Sequence, residues 1–331
     1  MKKNFIKTLL LIPATAAFLS GCESTKNQIG ILMPVEHVAL QAAADGFVEG
    51  LEASGLKKGK DFTIKLMNAG GKDADIVAYS KTLVAESKMT LGVGTGASKA
   101  LLSASIDKGS TKPVLFTAVT DPVGERLVSS IENGSGFVTG TSDAQPIDAQ
   151  IELLKECLPA ADKIGIIYTQ SETNSVVQAT QAQAAAQALG LAVEVETCTG
   201  PSDISTAAAA LCAKEGLDAI YIPTDNNIAA NANAVKQEAN AQGILVITGE
   251  EGMCKTGGHV TLSINYRELG KRTGQMAAQI LKGEKQPGDI PVGTMTKEEC
   301  EYVYSSANLA GSGITLPASV LEKSRDVNAN A

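Results

Sequence analysis

The chain has 331 residues, a formal net charge of −8 and no tryptophan. That length accommodates one large globular domain or two ordinary ones. The acidic balance argues against a nucleic-acid partner and against a polybasic membrane contact. Two His and an absence of C-x-x-C argue against a zinc site or a thiol nucleophile.

Residues 1–21 read as a signal peptide. Lys2, Lys3 and Lys7 precede "TLLLIPATAAFL", an apolar stretch too short and too poorly flanked to span a bilayer. It ends in "LSGC", Leu19–Cys22, where a small residue before a cysteine suits lipoprotein signal peptidase; the Cys22 thiol would then carry a diacylglycerol. An ordinary secretory signal that happens to contain a cysteine is the alternative. Residues 22–27 form a polar tether, and a lipid holds a protein at a membrane without spanning it. Cleavage leaves 331 − 21 = 310 residues and removes three lysines with no acids, moving the charge from −8 to −11. The expectation is a body at the extracytoplasmic face of the cell membrane. Cys157, Cys198, Cys212, Cys254 and Cys300 are an odd set, read as buried thiols; bridges Cys198–Cys212 or Cys254–Cys300 stay open.

The body follows one plan twice. "QIGILM" from Gln28 is a strand running through a polar loop into the helix "ALQAAADGFVEGLEA". "KIGIIY" from Lys163 does the same before "VVQATQAQAAAQAL". Gly30 and Gly165 are 165 − 30 = 135 residues apart, as are Leu56 and Leu191, which end "SGL" and "LGL". Ala, Gln and Glu favour these helices and the glycine after each is a stop. "FTIKLMN" and "AVEVETC" are second strands, after which Asp75-Ile76 and Asp203-Ile204 open second helices from capping positions. "MTLGVGT" and "DAIYIPT" are buried strands ending at Thr95 and Thr224. Each leads through a helix to another apolar strand, "KPVLFTAVTDP" and "GILVITGEE". Strands alternating with helices mean βαβ units, hence two doubly wound α/β lobes. "FVTGTSDAQP" (Phe137–Pro146) has the content of a crossing, and "HVTLSINYRELGKRTGQMAAQILKGEKQPGDIPV" reads strand, helix (Tyr266 to Leu281), strand.

Ligands of open α/β sheets sit beyond the carboxyl ends of the strands. The loops there are "VEHVAL", "GTGASK" and "TAVTDPV" in the first lobe, then "TQSETNS", "PTDNN" and "TGEEGM". Helix N-termini suit a carboxylate, and an acid such as Asp225 or Glu36 suits an ammonium, so the loops can hold a zwitterion. The same Ser and Asp residues also serve as N-caps, and Asp121-Pro122 as a turn. There is no G-x-S-x-G, and "GVGTGAS" is neither a dinucleotide fingerprint nor a P-loop. Glu250-Glu251 reads as a solvated pair of acids. No catalytic residue, cofactor or metal is expected.

"VEHVALQAAADGFVEGL", "FTAVTDPVGERLV", "GFVTGTSDAQPIDAQIELLKECLP", "KIGIIYTQSETNS", "AIYIPTDNNIA" and "INYRELGKRTGQMAAQILKGEKQPGDIPV" resemble the ABC-transporter substrate-binding proteins, typified by bacterial tryptophan- and aromatic-amino-acid-binding lipoproteins. The resemblance runs from Gln28 to about Glu322, and "VTDPV", "SETNS" and "PTDN" in that order are its specific part. It implies a type I periplasmic-binding-protein fold, with two Rossmann-like lobes, a three-crossing hinge and a ligand in the cleft. The lobes would be residues 28–141 plus 266–288 and 142–265 plus 289–325, the chain crossing back near Pro287–Pro291. It also implies a monomer that captures an amino acid, often aromatic, for a permease and its ATPase.

Carried over by position, ligand contacts would come from Glu36 and His37; Thr95, Ala97 and Ser98; Thr120 and Asp121; Ser171, Asn174 and Ser175; Thr224, Asp225 and Asn226; and Asn265. The family often has Asp-Tyr where this chain has Asn265-Tyr266, and Pro where it has Val38. Losing that acid leaves the ammonium to Asp225 or Glu36. Without Trp, stacking falls to Phe, Tyr or His37, which weighs against a sugar. A DNA-binding regulator would need a helix-turn-helix where the lipobox stands. The alternatives are a sensing subunit of a membrane receptor, a binding protein for another solute, or an enzyme on the same scaffold.

Overall fold

Two parallel sheets take the chain through the same winding twice, in a computed structural model that describes residues 27–329. The signal peptide, Cys22 and all but the last residue of the tether lie outside the described residues. The first lobe alternates β1 (Asn27–Met33), α1 (Val38–Ala53), β2 (Phe62–Asn68), α2 (Asp73–Glu86), β3 (Met89–Val93), α3 (Thr95–Lys108), β4 (Val114–Val119) and β5 (Val138–Ser142). The second continues with α4 (Ile147–Cys157), β6 (Lys163–Thr169), α5 (Thr173–Ala188), β7 (Ala192–Cys198), α6 (Ile204–Cys212) and β8 (Ala219–Ile222). It completes with α7 (Asn226–Ala229), α8 (Ala232–Gln242), β9 (Leu245–Thr248), α9 (Glu251–Thr256) and β10 (Val260–Ser263). The chain ends through α10 (Tyr266–Leu281), β11 (Glu301–Tyr304), α11 (Ser306–Leu309), α12 (Ala318–Lys323) and β12 (Arg325–Asp326).

The first sheet has the order β2-β1-β3-β4-β5; the second contains β7-β6-β8-β9-β10, the same order, and adds β11 and β12 at the far edge. Among the described strands only β10 and β11 pair antiparallel. The 135-residue echo has a packing cause (165 − 30). A Cβ on Gly30 would stand 2.9 Å from Leu83 of α2, and one on Gly165 2.9 Å from Leu211 of α6. Each first strand needs bare backbone where the lobe's second helix presses on it.

Helices cover both faces of each sheet. Phe47, Leu51 and Leu269 pack on Ile29, Ile31 and Leu91 on one side of the first, and Leu83 and Leu101 on Leu32 and Phe116 on the other. In the second, Ile151 and Leu154 meet Ile164 and Tyr221, and Leu211 and Val235 meet Ile220 and Val246. The helix after each fifth strand crosses over, α4 to the second sheet and α10 to the first. α10 lies directly on α1. A Cβ would fall 2.0 Å from Arg267 O at Gly46, 2.1 Å from Lys271 O at Gly50, 1.9 Å from Ala43 O at Gly270 and 2.1 Å from Phe47 O at Gly274.

Two local expectations change. α2 starts at Asp73 behind Lys72, so Asp75 sits in its first turn beside Asp73, where both favour the positive end of the dipole; Asp203 does flank α6 as expected. The strand expected after α10 does not form. Pro287–Asp289 is a short 3-10 turn, and only Gly293 bridges β5, at Thr141; Pro287 and Pro291 have no N–H for a ladder. Thr139 Oγ1 donates to Ile290 O at 2.9 Å, and Val292 belongs to the first lobe's core. The chain therefore stays with the first sheet past Pro291, where the crossing back was expected.

Cys157, Cys198, Cys212 and Cys254 are buried free thiols and Cys300 is half-buried and free, so neither bridge is made. Burial pushes the Cys157 and Cys198 thiols up to about 12. Among the described residues no helix is long and apolar enough to cross a membrane.

Candidate functional site

In both sheets the first and third strands send their loops to opposite sides, and a crevice opens beyond their carboxyl ends. The crevices face each other. A cavity of about 280 Å³ lies at the mouth, lined from the first lobe by Pro34, Val35, Ile76, Thr95 and Lys99 and from the second by Ser171, Glu172, Asn174, Pro201 and Asn226. Beneath it a pocket of about 20 Å³ is lined by His37, Thr95, Ala118, Thr120, Asp143, Asn174, Thr224, Asp225, Asn226, Glu250 and Tyr266.

Of the residues expected in the site, His37, Thr95, Thr120, Asn174, Thr224, Asp225 and Asn226 converge on this deep pocket, and Ser171 stands at its mouth. The others point elsewhere. Glu36 is exposed and receives Asn68 Nδ2 at 3.4 Å. Ala97 is packed in the core, and Ser98 Oγ donates to Gly94 O at 2.7 Å. Asp121 closes a turn by accepting from Gly124 N at 2.8 Å, Ser175 Oγ donates to Thr224 O at 2.9 Å, and Asn265 caps α10 by accepting from Glu268 N at 3.0 Å. Asp121 and Asn265 thus serve a turn and a cap, and the Ser98 and Ser175 hydroxyls satisfy backbone carbonyls.

The acids are distributed unevenly. Asp225 accepts from Thr169 N at 2.6 Å, Thr169 Oγ1 at 2.9 Å and Ile228 N at 2.9 Å, all within the second lobe. Asp143 accepts from Thr120 Oγ1 at 3.1 Å and Tyr266 OH at 2.7 Å. Burial raises the pKa of both. Glu250 is not the solvated acid expected from its neighbour Glu251. It is 2% exposed, accepts from Gly252 N and from Met253 N at 2.6 Å, and is pushed up to about 7 by burial. Glu172 holds Asn226 N and Asn227 N, each at 2.9 Å; burial and then the charge of Asp225 push it up to about 8. No Lys or Arg lines the deep pocket. His37 Nε2 lies 3.1 Å from Asn226 Oδ1, which accepts and so assigns the proton to Nε2. Burial holds this imidazole down at about 4, hence neutral, and its Nδ1 has no partner.

Asp143, Glu172, Gln178 and Glu250 were missed by the sequence reading. Asp143 follows β5 at the first crossing, a strand end that serves the site and the hinge together. Ala118 also lines the pocket with φ +56, at a register irregularity in β4; a non-glycine residue held there stores about 1–3 kcal/mol, as functional sites do.

The lobes touch across the cleft. Besides His37 and Asn226, Gln178 Nε2 donates to Thr120 Oγ1 at 3.1 Å, and Thr173 Oγ1 donates to Glu125, which Lys99 pairs at 2.5 Å. Residues 28–328 match the family described as ABC transporter substrate binding protein. A tyrosine-binding protein of Clostridioides difficile is 35% identical over 83% of this chain and 78% of its own. The Streptococcus pneumonia ABC domain in complex with L-Trp is 32% identical over 90% of this chain and 98% of that one, with a TM-score of 0.83. A ligand-free, open substrate-binding protein with adhesive properties from Clostridium difficile, also 32% identical and covering 91% and 99%, reaches 0.66. At equal identity the ligand complex fits better than the open form, in keeping with the bonds across the cleft: this is a closed arrangement. The winding, the cleft and the match over residues 28–328 make one statement, that the chain belongs to the ABC transporter substrate-binding proteins and has their type I periplasmic-binding-protein fold.

Proposed function

We propose that the protein is a lipid-anchored, extracytoplasmic receptor that captures an aromatic α-amino acid and presents it to an ABC permease and its ATPase, without transforming it. The observation that carries the ligand class is the acid-rich, cation-free deep pocket beneath a roomier mouth, which suits an ammonium group. A tyrosine-binding relative and an L-Trp complex above 30% identity support the aromatic side chain.

A carboxylate offers about four acceptor positions. Asp225 commits three to its own lobe, whereas Asp143 commits two, both to cleft hydroxyls. Asp143 therefore takes the ammonium, in place of Asp225 or Glu36. His37 Nδ1 supplies a further acceptor beside it. The ligand carboxylate meets the free N–H groups of Thr95 and Gly96 at the start of α3. The side chain extends to the mouth, where Pro34, Val35, Ile76 and Pro201 give apolar surface. Ligand bridging both lobes favours the closed form, and the hinge crossings let the lobes part. The receptor acts as a monomer.

The test is thermal melting of residues 23–331 against the twenty amino acids, several sugars and nucleosides. At 100 times Kd a ligand adds about 2.7 kcal/mol, a rise of roughly 5–10 °C. Tyr, Trp or Phe is expected to give it; a shift with only a sugar or nucleoside would sink the amino-acid reading and leave the family intact. The anchor has its own test. Cys22→Ser is expected to move the protein from membrane to soluble fraction, and retention after a carbonate wash would refute lipidation.

A further inference from the structure

Gln178 is fully buried on α5 and lines neither cavity, yet it makes one of the bonds that join the lobes, to a residue that lines the deep pocket. Its Oε1 accepts from Thr224 N at 2.9 Å. That fixes the amide, so Nε2 must donate. It donates to Thr224 Oγ1 and, across the cleft, to Thr120 Oγ1 at 3.1 Å. A hydroxyl that accepts there has its own proton free, and Thr120 gives it to Asp143 Oδ1 at 3.1 Å, while Tyr266 OH gives its proton to Oδ2 at 2.7 Å. Every donor in the chain points toward one carboxylate. Asp143 lies in the crossing between β5 and α4, and Tyr266 opens α10 straight after the crossing from β10. The relay thus runs from a second-lobe binding loop, through a first-lobe hydroxyl, to two hinge segments.

We infer that Gln178 is a positioning residue for ligand capture: on closure its amide fixes the Thr120 hydroxyl as a donor to Asp143, so that the acid is oriented for the ligand only when the lobes meet. When the lobes part, Gln178 remains with Thr224, and Thr120 loses the donor that set its direction. The inference rests on the reading of Asp143 as the ammonium partner, and it adds a residue that touches no ligand.

The experiment is calorimetric titration of the purified protein with L-tyrosine and L-tryptophan, for the parent, Gln178→Met, Thr120→Val and the double variant, with scattering radii before and after ligand. Gln178→Met and Thr120→Val should each weaken binding about 10-fold, and the double variant no more than the weaker single, against about 100-fold if the sites were independent. Gln178→Met should also blunt the contraction on ligand addition. Gln178→Glu keeps the acceptor for Thr224 N and removes the donor to Thr120, so it serves if Gln178→Met does not fold. A purely structural Gln178 would lower the melting temperature and leave affinity and contraction unchanged; that result, or additive losses, overturns the inference alone. A parent protein that ignores every amino acid overturns both the inference and the reading beneath it.

Discussion

Asp143→Asn is expected to weaken binding of the amino acid about 100-fold, or about 2.7 kcal/mol, the lower half of what a buried charge pair loses with one partner removed. Asparagine keeps the shape and can still bond Thr120 and Tyr266, so the ligand-free melting temperature should hold. Asp225→Asn should behave in the opposite order. It disturbs Thr169 N and the cap of α7 at Ile228, so ligand-free stability falls first, by about 1–3 kcal/mol. Calorimetry and melting on both variants decide. Unchanged affinity in Asp143→Asn, with lost binding in a stable Asp225→Asn, would return the ammonium to Asp225. The pH dependence has a definite sign. Burial raises the pKa of Asp143 and Asp225 and pushes Glu250 up to about 7 and Glu172 to about 8, whereas it holds His37 and His259 down at about 4. The four acids outnumber the two opposing imidazoles, so the closed form binds more protons than the unfolded chain in mildly acid solution. Its ligand-free stability should therefore fall as pH rises from ordinary carboxylate values toward about 7. Affinity for an ammonium should rise over the same window as the acids ionise. Melting and titration at about pH 5.5 and 7.5 should move in opposite directions.

The second large effect lies away from the site. Gly270→Leu places its Cβ 1.9 Å from Ala43 O, a backbone atom that cannot swing aside, so α10 must lift from α1. The expected loss is at least about 3 kcal/mol, or roughly 6–12 °C in melting temperature. Gly200→Ala, where a Cβ meets nothing within 4 Å and φ is 177, should stay within about 0.5 kcal/mol. Equal melting of Gly270→Leu and the parent would show that the two helices are not in backbone contact. α10 begins at a hinge crossing, so a folded but loosened variant should also bind ligand more weakly.

Strand–helix alternation and the repeated Ile-Gly-Ile openings determined the two-lobed α/β plan from sequence alone, because hydrophobic period and helix stops are local properties. The order "VTDPV", "SETNS", "PTDN" determined the family for the same reason. Seven of the fourteen expected ligand-site residues reach the deep pocket, because strand-end loops must open there. Sequence could not say which polar side chains turn to backbone groups, nearby as for Ser98, Asp121 and Asn265 or in another loop as for Ser175 with Thr224 O. That choice depends on which N–H and C=O groups the fold leaves unpaired. Glu250 looked like a surface acid beside Glu251, but it turns inward to cap α9 through Gly252 N and Met253 N and is buried, where Gly252 lies against Val38 and Ala39 of α1. Asp143 and Gln178 are 35 residues apart (178 − 143), and only closure of the cleft puts both on Thr120. Gly46, Gly50, Gly270 and Gly274 are visible as two spaced pairs. That they face each other is tertiary, since it requires the chain to complete one lobe, build the second and return.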